Sequence, residues 1–256
     1  MSDCCLKGFR WNGTPRGQEV ILAGRNCYKT GTESNVAILL IHDLFGWTFT
    51  NTRILADHLA EEVGATVFVP DFFGGEALPL DILLDETRWN ELDLPGFLSR
   101  NTKLIREPEI FACATALRIE HGYTSLGAIG FCFGGWAVFR LGAKDVRLVD
   151  CISTAHPTFL EPEEIRQVDV PVQIMAPEHD PQFTQELKAL SNEVLPMLGV
   201  PYDYQYFPSL AHGFATRGNL NDREEMLGAE RAKDAAVLWF RHWLHKQRKT
   251  ELIIAE

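Results

Sequence analysis

The chain predicts an α/β fold, a mostly parallel central sheet with helices on both faces, and three observations carry that expectation. Short apolar runs alternate with longer segments whose apolar residues recur at helical spacing. Val36 to Ile41 is six consecutive aliphatic residues, the pattern of a strand covered on both sides. Polar and reactive residues gather where such runs end, at His42-Asp43, Pro70-Asp71, Cys132 and Pro177-Glu178-His179-Asp180, and open α/β sheets hold their ligands at the carboxyl ends of strands.

Taken in order, Gln18 to Leu22 and Asn26 to Lys29 read as short strands joined through Ala23-Gly24-Arg25, an opening hairpin. After the strand Val36 to Ile41, Thr50 or Asn51 can cap a helix with Leu55, Leu59 and Val63 on one face and Gly64 beyond its end. Ala65 to Val69 is a further buried strand. From Phe72 to Glu107 the periodicity fails, with Gly74-Gly75, Pro79 and Pro95-Gly96 breaking the segment. That segment reads either as a cap over the carboxyl edge of the sheet or as an ordinary connection with its own small core.

Pro108 suits the first turn of a helix carrying Ile110, Ala114 and Leu117 and ending at Gly122. The later strands are Leu126 to Phe131, Leu148 to Thr154, Val170 to Ala176 and Tyr202 to Phe207. Trp136 to Leu141 forms a short helix after the first of these, and Phe183 to Leu198 a helix with Leu187, Leu190 and Val194 inward. Asn221 to His245 closes the chain, with Ala229, Ala232, Ala236, Trp239 and Trp243 on one face. Its acidic start (Asp222, Glu224, Glu225) and basic end (Arg241, Lys246, Arg248) match the helix macrodipole. No repeat or low-complexity linker interrupts the sequence, so residues 1–256 are expected to form one domain with a possible cap-like insertion around 72–107.

With 46% hydrophobic residues the chain can build a large core, and a net charge of −11 argues against nucleic acid or an anionic membrane as a partner. Met1 to Phe9 lacks the apolar segment of a signal peptide, and no window approaches the ~20 apolar residues of a membrane span, so a cytoplasmic location is expected. The six cysteines form no C-x-x-C pair and are expected to be free thiols; the adjacent Cys4-Cys5 receives no role.

The chemistry centres on Gly130-Phe131-Cys132-Phe133-Gly134-Gly135. A nucleophile set between nearby glycines, where a strand passes into a helix, is the nucleophile-elbow arrangement with cysteine in the usual serine position. Such a sharp bend leaves no room for Cβ atoms beside the nucleophile, and the free N–H groups of the following helix favour a thiolate and, later, an oxyanion. The nucleophile needs a base, and the base an orienting acid, in the chain order nucleophile, acid, histidine. His212, in Ala211-His212-Gly213-Phe214, follows the last strand and fits the base. His242 and His245 fall in the closing helix and read as solvated. Asp180, stiffened by Pro181, and Glu178 both emerge at the required edge, and Asp180 is favoured.

Together with His42-Asp43-Leu44-Phe45-Gly46-Trp47 and Pro70-Asp71-Phe72-Phe73-Gly74-Gly75, these motifs resemble the dienelactone hydrolase family over nearly the whole chain, and most of all its fungal branch. The resemblance implies an α/β-hydrolase fold and a triad of Cys132, Asp180 and His212. It implies hydrolysis of a small-molecule ester or enol-lactone through a thioester acyl-enzyme, without metal or other cofactor. It places the oxyanion hole on the backbone N–H groups of Phe133 and Leu44. Bacterial members carry a glutamate where Asp43 stands, which makes Asp43, one methylene shorter, a candidate for activating the thiol. Members that bind a substrate carboxylate through arginine after the triad histidine point to Arg217, one residue beyond the matching Thr216. Phe45, Trp47, Phe72 and Trp136 are further substrate-binding candidates, and suit an aromatic or polyketide-like lactone.

Three other readings compete. The same pocket could isomerise or cyclise a lactone or polyketide intermediate, or it could bind a ligand with slow turnover, although a pure binder has no need of a complete triad. A metal hydrolase built on His42, Asp43, His156 and His179 lacks any recognised ligand spacing.

Overall fold

The computed structural model describes residues 3–32 and 34–245. Eight strands form one sheet: β1 (Gln18–Leu22), β2 (Arg25–Thr30), β3 (Val36–Ile41), β4 (Thr66–Pro70), β5 (Ser125–Phe131), β6 (Cys151–Ala155), β7 (Val172–His179) and β8 (Tyr202–Ala211). Their order is β1-β2-β4-β3-β5-β6-β7-β8. The opening hairpin and the β2–β4 pair are antiparallel, and every pair from β4 to β8 is parallel. From β3 the chain moves outward to β4 and then returns to the other side of β3 as β5, so the strand order reverses between β3 and β5. Ligands of open α/β sheets bind at such a reversal, outside the carboxyl ends of the strands.

The helices are α1 (Thr50–Val63), α2 (Leu80–Leu83), α3 (Leu94–Arg100), α4 (Lys103–Ile119), α5 (Gly134–Leu141), α6 (Pro162–Arg166), α7 (Gln185–Val194), α8 (Phe214–Arg217) and α9 (Arg223–Leu244). Strand β3 shows why both faces need cover. Ala37, Leu39 and Ile41 pack into the cluster shared with α4, α5 and α6, while Val36, Ile38 and Leu40 enter the cluster shared with α1, α8 and α9. Alternation of side chains along a strand thus sends one aliphatic run into two cores. Truncating Ile38, Leu39, Leu40 or Ile41 to alanine costs about 2–5 kcal/mol. This is an α/β-hydrolase fold, and among the described residues no helix is long and apolar enough to cross a membrane.

Several elements depart from the sequence expectation. Helix α1 does end at Gly64, in left-handed conformation, but its N-cap position is Phe49, without a side-chain cap. Asn51 is instead buried and donates through Nδ2 to the carbonyls of Phe9 and Thr216. Helix α4 starts at Lys103 and carries Pro108 inside it. Buried Arg106 anchors the extra turn, pairing with Glu109 at 2.8 Å and donating to Asn101 Oδ1 at 2.9 Å, and this tertiary anchoring outweighs the N–H that proline lacks. The sixth strand begins only at Cys151, because Leu148 to Asp150 are spent on the turn that brings the chain back: the Leu148 N–H bonds to the Leu141 carbonyl and that of Asp150 to Leu126. The segment 183–198 divides into α7, capped by Thr184, and a 3-10 turn at Leu195–Leu198. Lys188 and Ser191 are its buried residues, while Leu187, Leu190 and Val194 are half-buried. Lys188 is drawn inward because its ammonium donates to the carbonyls of Pro177 and Glu178 at the end of β7. Lys246 and Arg248 lie outside the described residues.

Candidate active site

Cys132 occupies the bend between β5 and α5 with φ of +49°, a left-handed conformation that non-glycine residues rarely adopt. The surroundings fix it there. Its carbonyl accepts the Gly135 N–H at 2.9 Å and the Thr158 N–H at 2.8 Å. A Cβ added at Gly130 would meet the Gly134 carbonyl oxygen at 2.1 Å, and one at Gly134 would meet the Ile41 carbonyl oxygen at 2.3 Å. Only glycine allows strand, bend and helix to approach this closely, which is the steric reason for the motif.

His212 follows β8 directly, and its N–H is held by the His179 carbonyl at 3.1 Å. Its Nδ1 lies 2.9 Å from both carboxylate oxygens of Asp180, with both side chains wholly enclosed. Asp180 Oδ1 also accepts the N–H groups of Gln182 and Phe183 at 2.8 and 3.1 Å, so one carboxylate braces its own turn and orients the imidazole. Glu178, the other candidate, accepts the Ser209 N–H at 2.7 Å instead. With Nδ1 committed to Asp180, Nε2 is the nitrogen that faces the sulfurs, and it lies 3.6 Å from Cys5 Sγ.

Burial alone would raise the Cys132 thiol. A hydrogen bond from Cys5 and the charges of His212 and Arg217 oppose burial and hold it well below the ordinary value of 9.0. Burial likewise lowers His212, but the Cys132 thiolate and the Asp180 carboxylate raise it to about 10. The two directions agree on one state, a thiolate beside an imidazolium. Thr158 adds a hydroxyl 3.3 Å from the sulfur. At the start of α5 the Phe133 N–H has no acceptor one turn back. In the turn after β3, the N–H groups of Phe45 and Gly46 bond to Asp43, while Leu44 between them has no such acceptor among the described residues.

Asp43 is not joined to Cys132 by any hydrogen bond among the described residues. Its Oδ2 lies 3.0 Å from Arg217 Nε and accepts the Thr216 hydroxyl at 2.9 Å, and its Oδ1 accepts the Phe45 N–H at 2.9 Å. Both oxygens are therefore occupied. Arg217 sits against Asp43, donates through Nη1 to the carbonyls of Cys5 and Lys7, and lies 4.9 Å from the Phe45 ring centroid, while its buried Nε and Nη2 have no hydrogen-bond partner among the described residues. In place of a substrate carboxylate it holds the amino-terminal segment. Phe45 packs against Phe49, Phe72 against His42, and Trp136 is fully enclosed with the Lys103 ammonium 5.5 Å from its ring. Trp47 is half-buried under Arg53. These rings pack against neighbouring side chains. Cys132 itself has no exposed surface, because residues 3–8 cross over the site and bring Cys5 to the triad.

His42, Asp43, His156 and His179 do not converge as metal ligands. His42 is tied to the Asp43 carbonyl and the Phe72 N–H, and His179 is exposed. Among the described residues, the side chains close enough to share an ion are Cys4, Cys5 and His212. Thr158 escaped the sequence reading, Cys5 received no role in it, and His156 entered it only as a metal-ligand candidate. The Cys4-Cys5 doublet was visible but stands more than 200 residues from its partner, and nothing local pointed to His212. Thr158 lies just past the carboxyl end of β6, an edge position that could have marked it. His156 is wholly buried, its ring 4.9 Å edge-on from His212; burial, and then the charges of His212 and Arg217, keep it well below 6.5 and therefore neutral.

The chain is similar to known proteins along nearly its whole length. The chain is 31% identical over 252 residues to "Hydrolase pyvD" of Aspergillus violaceofuscus, with 96% of this chain and 98% of the relative covered. It is 29% identical over 252 residues to "Hydrolase tropI" of Talaromyces stipitatus, covering 95% and 97%. A "Carboxymethylenebutenolidase homolog" of Homo sapiens is 29% identical over 247 residues, covering 94% and 96%. The fold matches the crystal structure of a putative dienelactone hydrolase from Klebsiella pneumoniae with a TM-score of 0.69 at 16% identity, covering 88% of this chain and 98% of that one. Residues 24–244 match the sequence model of the Dienelactone hydrolase family, and the chain belongs to that family as an ester or lactone hydrolase.

Proposed function

We propose that the chain cleaves its ester or lactone through a Cys132-His212-Asp180 triad and a thioester intermediate. The observation that carries this reading is geometric: Asp180 holds His212 Nδ1 at 2.9 Å at the strand edge where the left-handed β5–α5 bend sets Cys132, and burial and neighbouring charge push the thiol down and the imidazole up. The thiolate attacks the carbonyl carbon, and the resulting oxyanion falls to the N–H groups of Phe133 and Leu44. As the tetrahedral species collapses, the C–O bond breaks and His212 gives its proton to the leaving oxygen. Neutral His212 then takes a proton from water, whose oxygen attacks the thioester and releases Cys132 as thiolate. Asp180 keeps the imidazole in register through both halves.

Because a thiolate is also a good leaving group, the chemistry favours substrates whose own leaving oxygen is stabilised, such as enol-lactones and aryl esters. A groove of 620 Å³ lined by Leu98, Asn101, Lys103, Phe159 and Glu161 begins one residue past Thr158 and suits a small ligand. Aryl esters and enol-lactones offered to the wild type, Cys132→Ala, His212→Ala and Asp180→Ala test the reading, with products identified by mass. Loss of cleavage in the first two, with a smaller loss for Asp180, is the expected result. Near-normal rates in Cys132→Ala or His212→Ala would reject the triad, and a product of unchanged mass would identify isomerisation.

A further inference from the structure

We propose that Cys4, Cys5 and His212 together form a binding site for zinc, and that the bound ion fastens the amino-terminal segment over the nucleophile and stops the reaction. Ester hydrolysis has no use for Cys4 or for a Cys5 thiolate, yet the fold brings both sulfurs to the triad histidine.

The spacing of the donor atoms is that of a tetrahedral site. Cys4 Sγ and Cys5 Sγ are 3.9 Å apart, and Cys5 Sγ is 3.6 Å from His212 Nε2. Zinc with sulfur at about 2.3 Å and imidazole nitrogen at about 2.05 Å separates two sulfurs by about 3.8 Å and sulfur from nitrogen by about 3.6 Å. The three donor atoms all lie within 4.8 Å of one another. With two sulfurs and one nitrogen supplied by the protein, the fourth position of the tetrahedron is left to water, as in three-ligand zinc sites.

The surroundings suit the same ion. Asp180 holds His212 Nδ1, which makes Nε2 the nitrogen that takes the ion once it gives up its proton, and reproduces the carboxylate-histidine-metal relay found around zinc. Arg217 donates to the carbonyls of Cys5 and Lys7, so the loop that supplies two ligands is already anchored. Sulfur and imidazole donors exclude magnesium and calcium, which take oxygen. Binding releases the Cys4 and Cys5 thiol protons and the His212 Nε2 proton to solvent and changes no oxidation state. It takes the Nε2 site, and with it the proton donor and base, out of the reaction. The inhibition rests on the triad reading, whereas the binding does not.

The test uses the full chain, reduced and freed of metal. Zinc affinity is read by competition with a chromophoric chelator, and Co²⁺ serves as a spectroscopic probe through its thiolate charge-transfer absorption. The expected result is one zinc per chain, with Cys4→Ser and Cys5→Ser each weakening binding by about tenfold or more and reducing the Co²⁺ band. Cys27→Ala, remote from the site, leaves both unchanged. Zinc then stops aryl-ester cleavage over the same concentration range, and a chelator restores it. Circular dichroism confirms folding, and Cys4→Ser, at a half-exposed position, keeps the test decisive should Cys5→Ser fold poorly. Zinc affinity and Co²⁺ absorption unaltered in both serine variants would overturn the proposal, since the ion would then not rest on Cys4 and Cys5. Absence of stoichiometric binding would overturn it as well. Binding as expected in a protein that cleaves no ester would support the metal site and refute the hydrolase mechanism separately.

Discussion

The Asp43–Arg217 pair gives a sharp test of how the site is braced. The two groups lie 3.0 Å apart with neither side chain exposed, and Arg217 also ties down the segment that covers Cys132. At an effective dielectric constant of about 20 their attraction is roughly 5 kcal/mol, and removing either partner strands a buried charge at a cost of about 3–5 kcal/mol. A domain of this kind has a total stability of about 5–15 kcal/mol, so Asp43→Asn or Arg217→Met alone should remove a large part of it. The double variant should be more stable than the sum of the single losses predicts, by up to about 3 kcal/mol. Urea unfolding followed by circular dichroism and tryptophan fluorescence measures all three. Alkylation rate against pH, run on Asp43→Asn, adds a sign. If Asp43 activated the sulfur directly, its loss would raise the thiol pKa. In the structure it faces Arg217, so removing a negative charge leaves the guanidinium less neutralised and the thiol pKa should stay or fall. Additive single losses under about 1 kcal/mol, or a raised thiol pKa, would refute this reasoning.

Other expectations follow from the same geometry. Because the Cys132 thiol is held well below 9.0 and His212 is raised to about 10, kcat/KM should rise at acid pH as the thiol ionises and fall as pH passes about 10 and the imidazolium loses its proton. A rate that only begins to rise near pH 9 would contradict the preformed ion pair. Thr158→Val removes a hydroxyl 3.3 Å from the sulfur, and the loss of a hydrogen bond to a charged group, about 1.5–3 kcal/mol, should move the acid limb upward by about one unit or more. Gly134→Ala would set a methyl 2.3 Å from the Ile41 carbonyl oxygen, and should cost about 1–3 kcal/mol of stability in urea unfolding along with activity.

What was legible in the sequence was carried by local pattern. The aliphatic run of β3 announces a two-sided strand, and the glycines around Cys132 announce a bend that admits no Cβ. Asp180 and His212 could be placed because each directly follows a strand, and strand ends share one edge of a parallel sheet. Pro108 suits a helix start, yet Arg106, two residues earlier, carries the helix back to Lys103 through Asn101 and Glu109. The other failures came where distant residues decide. Asp43 and Arg217 are widely separated in sequence, and each looked available for chemistry or substrate until their mutual pairing was seen. The enclosure of Cys132 by the amino-terminal segment depends on contacts of Cys5 and Lys7 with Arg217, which no periodicity or spacing encodes.

The central claim is a covalent bond to one sulfur, and mass spectrometry of the acyl-enzyme tests it most directly. His212→Ala treated with an aryl ester should be slow to release the acyl group, and the peptide containing Cys132 should carry it after proteolysis. Ester cleavage that leaves Cys132 unmodified, or an acyl group on Cys5 instead, would contradict the mechanism.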